Sequence, residues 1–291
     1  MTAIPDIYIA AIVTSILSLG IIGGLLLYFA PKENRSILYL LILVMLPMNA
    51  LAFYLVRMPL DTLLLNAFSK GNGFYQFMRM IYAPLTEEPA KLWPLLIPWF
   101  YRRISSVKTF RAALAIGLGF GVGEAWTVAH LLSRSPAIAQ YPWYMLINER
   151  VMVCIIHSAF TAVALHFIIA RKRIVVGILT AMGLHFVGNS PIFLASWNVF
   201  GIGRETWQVI LQLWVLFYFL AMGALLILMA YGRQKTGKSF LGEIECPECK
   251  KVYKRSMLTG INLLHKRYEP CPHCKHWHIV PMFGNNKELK S

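Results

Sequence analysis

The chain has 291 residues, 57% of them hydrophobic and only 14% charged, with a mean hydropathy of +0.57. A soluble domain carries about 25% charged residues, so this composition excludes an ordinary soluble enzyme and describes a polytopic membrane protein. The net charge of +15 does not point to nucleic acid, because the basic residues cluster between apolar spans, as cytoplasmic loops require.

A membrane-crossing helix needs about 20 apolar residues. Seven stretches approach that length, near 7–30, 36–57, 76–101, 111–132, 150–170, 174–197 and 207–231. The first is too long for a signal-peptide core and follows Asp6 instead of a basic segment, so it reads as a retained span. Between the second and third, Leu60 to Leu65 suggests a short interfacial helix, followed by a Lys70-Gly71-Asn72-Gly73 turn. The third stretch is interrupted by Pro84, Pro89, Pro94 and Pro98. Thr86 is placed to cap a new helical start there, which would put Glu87 and Glu88 in a first turn where the helix dipole favours anions. Between the fourth and fifth, Tyr141, Trp143 and Tyr144 suit the headgroup belt.

The basic clusters set the orientation. Lys32 and Arg35, the group Arg102, Arg103, Lys108 and Arg111, the run Arg171 to Arg173, and Arg233, Lys235 and Lys238 all fall on one side if there are seven spans. The other side has scattered charges: Arg57, Asp61, Lys70, Arg134, Glu149, Arg150, Arg204 and Glu205. The expectation is an all-α protein of the cell membrane with about seven transmembrane helices, its N-terminus outside and its C-terminal tail cytoplasmic. A transmembrane domain of residues 1–231 and a tail of residues 232–291 follow from the drop in hydropathy.

Ionisable groups inside the apolar spans are the functional candidates, because charge in hydrocarbon is expensive. The third span has Glu87, Glu88 and Lys91, the fourth Glu124, the fifth His157 and His166, and the sixth His185 and Asn189. Counted from the basic edges at about 1.5 Å per residue, Glu87 lies about 22 Å deep, Glu124 about 20 Å, His157 about 21 Å and His185 about 18 Å. In a core of about 30 Å that common layer is in the outer half. Scattered structural polar groups would fall at different depths, whereas a shared layer is what one site needs. Blander readings suit other positions. His166 and Asn189 can be explained by hydrogen bonds across a bundle, His130 by the interface, and Cys154 by apolar packing. Gly117, Gly119, Gly121 and Gly123 suit close helix packing, with no strand before them to make a nucleotide loop.

Two adjacent carboxylates in a low dielectric can divide into an acid and a base, activate water and protonate a leaving amine. Histidine and asparagine can donate to an oxyanion. These groups suffice for amide hydrolysis without a covalent intermediate, and no H-E-x-x-H zinc motif is present. Glutamates and histidines on facing helices are also what a metal site would use, which leaves a zinc-dependent hydrolase as the alternative. A proton- or ion-coupled transporter could use the same buried acids, but the chain shows no paired repeat. A scaffold would leave three intramembrane glutamates unexplained.

The sequence Glu87-Glu88-Pro89-Ala90-Lys91, then Phe120-x-x-x-Glu124, then His157, then His185-x-x-x-Asn189 resembles the PrsW family. That family is similar to the wider CAAX-protease and bacteriocin-processing (CPBP) superfamily of intramembrane proteases. The E-E-x-x-K and F-x-x-x-E forms are PrsW-like; CAAX prenyl proteases typically show E-E-x-x-x-R and F-x-x-x-H, so Glu124 argues against a prenyl-peptide substrate. The resemblance covers roughly residues 76–195. It implies proteolysis of membrane-linked protein substrates near the extracytoplasmic side. Glu87 and Glu124 would activate water, Glu88 would tune the pair, and His185 and Asn189 would hold the oxyanion with His157 contributing. The paired acids and the asparagine favour a centre without metal, with zinc at that site as the runner-up.

In the tail, Cys246-Pro247-Glu248-Cys249 and Cys271-Pro272-His273-Cys274 are separated by 21 residues. Two such knuckles read as a zinc ribbon. Four thiolates close a tetrahedral shell, so this zinc would be structural, and His265, His273, His276 and His278 are unnecessary as ligands. Val252-Tyr253 and the run from His276 to Val280 suit short strands. The basic balance favours contact with anionic lipid or a cytoplasmic protein over nucleic acid.

Overall fold

The structure is a computed structural model and describes residues 6–134, 143–197, 201–231, 243–255, 259–263 and 266–281. Tyr141, His265 and the basic residues Arg233, Lys235 and Lys238 lie outside the described residues. The chain divides into two compact units, Met1–Leu226 and Ile227–Ser291.

The first unit is helical. Among the described residues, helices α1 (Asp6–Tyr28), α2 (Lys32–Ala67), α5 (Thr109–Leu132), α6 (Trp143–Ala170), α7 (Ile174–Ser196) and α8 (Arg204–Tyr231) are the six that are long and apolar enough to cross a membrane. Between α2 and α5 come α3 (Gly73–Leu92), a 3₁₀ turn at Trp93–Leu96 and α4 (Pro98–Ser106). The seven-span expectation therefore resolves into six apolar helices and one polar helix, α3. Arg79, Glu87, Glu88 and Lys91 set α3 apart. The second span runs further than expected. Leu60 to Leu65 continues α2, through a widened π turn at Ala52–Arg57, and forms no separate interfacial helix.

α5 is the central helix: 78% of its apolar stretch is buried, against 11% in α7 and 17% in Glu205–Ala230 of α8. Its alternate glycines explain how. A Cβ on Gly119 or Gly123 would overlap the carbonyl oxygens of Ile42 and Leu46 on α2. A Cβ on Gly117 or Gly121 would collide with Ser158 and Cys154 on α6. Glycine on both sides lets α2 and α6 approach to backbone contact, the packing mode that lipid-embedded helices favour.

α3 differs from expectation in where it breaks. Asn72 caps its start, its side-chain oxygen accepting from the amides of Phe74 (2.9 Å) and Tyr75 (3.3 Å). The helix then runs straight through Pro84 and Pro89. Thr86 starts no new helix; its hydroxyl donates back to the Tyr82 carbonyl at 2.7 Å. The acid pair thus sits deep within α3, and the break follows Lys91, where Pro94 and Pro98 terminate the helix. In α7, Pro191 removes the amide that would pair with Val187, and the Ser190 hydroxyl donates to that carbonyl instead, at 2.9 Å. α8 packs on α7 through two side chains. Trp214 donates its indole N–H to Gly188 O (3.0 Å), and Tyr218 donates to Leu184 O (2.5 Å).

The second unit contains β1 (Glu243–Glu245) paired antiparallel with β2 (Val252–Lys254). A three-stranded antiparallel sheet follows in the order β3 (Ile261–Leu263), β4 (Lys266–Pro270), β5 (Trp277–Pro281). The strands expected around Tyr253 and His278 are β2 and β5. Each cysteine knuckle joins a strand pair, with Glu245 opposite Val252 and Pro270 opposite Trp277.

Candidate active site and cysteine cluster

Residues from four helices meet in one buried polar network. On α3, Glu87, Glu88 and Lys91 are 4%, 1% and 0% exposed. From α6 comes His157 and from α7 comes His185, both buried, while Glu124 of α5 is half-buried. The equal depths counted along the sequence correspond to direct contact.

Lys91 is the hub. Its ammonium donates to Glu88 Oε1 (2.6 Å) and to His157 Nδ1 (3.1 Å). It also lies over the rings of Phe120 and Phe160, 5.3 Å from each centroid. An ammonium can only donate, so His157 Nδ1 accepts. The proton of that ring is then on Nε2, which donates to Glu124 Oε2 at 2.6 Å. The same logic fixes His185. Glu88 Oε1 accepts from His185 Nδ1 at 2.6 Å, so Nδ1 carries a proton and, in the neutral ring, Nε2 keeps a lone pair. That nitrogen faces Glu87 Oε2 across 3.9 Å. Glu87 Oε2 is buried and has no hydrogen-bond partner among the described residues. Phe160 stacks on His185 at 5.3 Å and holds the ring in this orientation.

Two arginines complete the network. Arg57 of α2 pairs with Glu87 Oε1 and lies 3.5 Å from the Thr86 hydroxyl. Arg150 of α6 donates to Glu124 Oε1 (2.9 Å) and Glu149 Oε1 (2.6 Å). Both were read from the sequence as scattered charges of the outer loops; they are the counter-ions of Glu87 and Glu124. Arg150 could have been found, since it lies two turns before His157 on the same face of α6. Arg57 gave no such sign, because its position depends on the widened turn that ends α2's π segment.

The other candidates divide. Asn189 is half-buried, one turn beyond His185, and makes no side-chain hydrogen bond among the described residues. His130 lies 3.4 Å from the Tyr8 hydroxyl, outside the network. Cys154 is fully buried at the α5 contact, a packing position.

Could this site hold a metal? Glu87, His157 and His185 each offer a ligand atom, all within 4.8 Å of one another. Glu87 Oε2 and His185 Nε2 are unoccupied by protein hydrogen bonds and suit a cation between them. Glu88 at His185 Nδ1 matches the outer-shell carboxylate that orients a ligating histidine. His157 has both ring nitrogens engaged and joins such a set by exchanging one of those contacts. The residues fit a metal.

In the second unit the four cysteine sulfurs lie within 4.8 Å of one another. Cys246 and Cys274 are 3.7 Å apart, as are Cys249 and Cys271. A tetrahedral ion with sulfur bonds of about 2.3 Å needs sulfurs about 3.8 Å apart, and a disulfide needs about 2 Å. The spacing is that of a metal shell. The two knuckles repeat one backbone: Lys250 and Lys275 both adopt positive φ, and Lys250 N and Lys275 N return to the carbonyls of Cys246 and Cys271. Burial works to raise the Cys271 thiol, but the amides of Cys274 and His273 outweigh it and hold it at about 7. The nearby histidines do other work. His278 Nε2 pairs with the Tyr253 hydroxyl (2.7 Å), and His276 lies beside Glu248. Behind the knuckles, Glu269 accepts from Tyr253 (2.9 Å) and Arg255 (2.8 Å) and pairs with Arg267 (2.6 Å).

Comparison with known proteins agrees with the geometry. The model of the PrsW family intramembrane metalloproteases matches residues 33–229. No curated protein and no solved structure gives a match to the chain. The matched segment takes in α3, α5, α6 and α7 with every residue of the intramembrane network, so the chain belongs to the PrsW family of intramembrane metalloproteases, and it is a membrane-embedded peptidase.

Proposed function

We propose that the chain cleaves membrane-linked proteins by water attack at the Glu87, Glu124, His157 and His185 cluster. The observation that carries this reading is the buried Glu87 Oε2, without a hydrogen-bond partner among the described residues, 3.9 Å from Nε2 of His185. A polar atom buried without a partner costs about 1–3 kcal/mol, and its persistence at this position points to a ligand or reactant taken there.

The roles divide by what each group can still do. Glu124 is the most exposed of the three acids, with 18% of its side chain accessible. It takes the water proton, oriented by His157 and Arg150, and returns it to the leaving amine. Asn189 has a free amide to donate to the carbonyl oxygen. In the neutral ring with its proton on Nδ1, His185 Nε2 accepts; protonated, it would donate to the same oxygen beside Asn189. Glu88 and Lys91 are positioning residues: one sets His185, the other His157. A divalent metal would be held by Glu87, His185 and His157 and would polarise the carbonyl and acidify water. A metal-independent version has support of its own, since Arg57 and Arg150 already balance Glu87 and Glu124. In the second unit the cysteine shell takes zinc, the ion whose sulfur bond length the spacing fits, and serves structure. The domain limits 1–231 and 232–291, an outer-half site and a cytoplasmic tail complete the reading; the basic edges support that orientation.

The test uses single-span membrane reporters with randomised juxtamembrane segments, co-expressed with the chain, the new termini read by mass spectrometry. Glu124→Gln, nearly isosteric, should lose cleavage by about 100-fold or more. Wild-type cleavage by a monodisperse Glu124→Gln variant would sink the assignment.

A further inference from the structure

The seam between α3 and α7 does not end at Glu87 and His185. It continues toward the N-terminal end of α3, away from the basic edges at Arg102 and Arg173. A cavity of about 200 Å³ opens there, lined by Gln76 and Arg79 of α3 and by Ile192, Phe193, Ser196 and Trp197 of α7. Gln76, Arg79, Ala83 and Glu87 recur at helical spacing and share one face of α3; His185, Asn189, Ile192 and Ser196 share one face of α7. The cavity therefore lies in line with the reacting pair, on the faces that carry it.

Its lining offers donors. No carboxylate borders it. Arg79 is exposed and, among the described residues, makes no ion pair or hydrogen bond, and the Trp197 indole N–H likewise has no acceptor. Gln76 gives its amide to Lys70 O (3.3 Å) and Ser196 its hydroxyl to Phe193 O (2.8 Å). Arg57 and Arg150 are engaged with the acids, while Arg79 stands ready for an anion from outside the protein.

We propose that this cavity is a substrate subsite for an acidic side chain, with Arg79 and Trp197 donating to the carboxylate of an aspartate or glutamate. It rests on the proposed cleavage at the Glu87 and Glu124 cluster. Eight helical residues separate Arg79 from Glu87, about 12 Å. An extended peptide advances about 3.3 Å per residue, so the acidic residue lies three or four positions from the scissile bond, on the side toward the start of α3. A lipid phosphate has the same charge, but the cavity is smaller than the roughly 300–1,000 Å³ of sites that enclose whole small molecules. It suits one side chain, and its lining lies on the faces of α3 and α7 that carry Glu87 and His185.

The reporter library supplies the test, with Asp or Glu, Asn or Gln, and Lys or Arg at each position flanking the cut. Wild type should prefer an acidic residue three or four positions away by roughly three- to fivefold, the worth of an exposed ion pair. Arg79→Gln should erase that preference, and Arg79→Glu should turn it to Lys or Arg at the same positions. Size-exclusion of each variant in detergent confirms folding, which an exposed residue with no ion pair or hydrogen bond among the described residues leaves intact. An unchanged preference in Arg79→Glu overturns the subsite. So does an equal loss across all reporters with the preference retained, the result a lipid contact would give. Glu87→Gln separates the two readings. If it abolishes cleavage while Arg79→Glu leaves the preference unaltered, the active site stands and the subsite fails. If Glu87→Gln cleaves normally, the reading on which the subsite rests fails with it.

Discussion

Lys91 shows how much a single buried charge commits a fold to. It has no accessible surface, one carboxylate, one imidazole nitrogen and two aromatic rings around it. Lys91→Met keeps the volume and removes the charge, leaving Glu88 buried beside His185 alone. Breaking one half of a buried pair costs about 3–5 kcal/mol, whereas replacing both halves is often neutral. Lys91→Met should therefore lower the thermal midpoint in detergent markedly, and the double variant Lys91→Met, Glu88→Gln should recover most of it. Neither should regain peptidase activity, because both lack the ammonium that sets His157, and the double variant also lacks the carboxylate that sets His185. A double variant as unstable as the single one would show that Glu88 is not the partner that matters. The acids and histidines were legible in the sequence because charge in an apolar span stands out. Their arginines were less so: Arg150 only through its spacing to His157, and Arg57 not at all. Arg57 and Arg150 lie where spans meet loops, and composition alone cannot tell a headgroup arginine from one that reaches back to a carboxylate.

At the scale of the helix, small residues decide the architecture. Gly123 lets the backbone of α5 meet the Leu46 carbonyl of α2, and Gly121 does the same toward Cys154 of α6. Gly183 of α7 has nothing within 4 Å of where its Cβ would be. Gly123→Ala should therefore push α2 from α5, shift Arg57 from Glu87, and reduce both the monodisperse yield and the thermal midpoint. Gly183→Ala should be neutral or slightly stabilising, since alanine is the better helix former by about 1 kcal/mol. Equal behaviour of the two variants would contradict the close contact. The glycine run was readable as packing, but the break in α3 was not readable from prolines alone. Four prolines occur between residues 84 and 98, and two of them are absorbed within α3. Pro94 and Pro98 end it because neither has an amide to continue the helical ladder after Lys91, and the chain turns instead through a 3₁₀ segment at Trp93–Leu96.

For the whole molecule, two clusters compete for the description of a metalloprotein, and they can be separated. The cysteine shell is made of four sulfurs at the spacing of a tetrahedral ion. The intramembrane set has one free carboxylate oxygen and one free imidazole nitrogen, with His157 engaged on both sides. Thiolates hold zinc far more tightly than a mixed set does in competition with its own ion pairs, so dialysis against a mild chelator should strip the second site first. Elemental analysis of the purified full chain should give two metal ions per molecule before dialysis and one after. Cys246→Ser with Cys249→Ser should remove the retained ion without removing the other, and His185→Ala should remove the labile one alone. Reporter cleavage should follow the labile ion and not the retained one. A count of one in wild type and none in the cysteine variant, with cleavage undiminished, would instead leave Glu87 and Glu124 to act on water with only Arg57 and Arg150 as counter-charge. The two outcomes differ in a whole ion per chain, and the first would account for a Glu87 oxygen that is buried without a partner among the described residues, 3.9 Å from His185 Nε2.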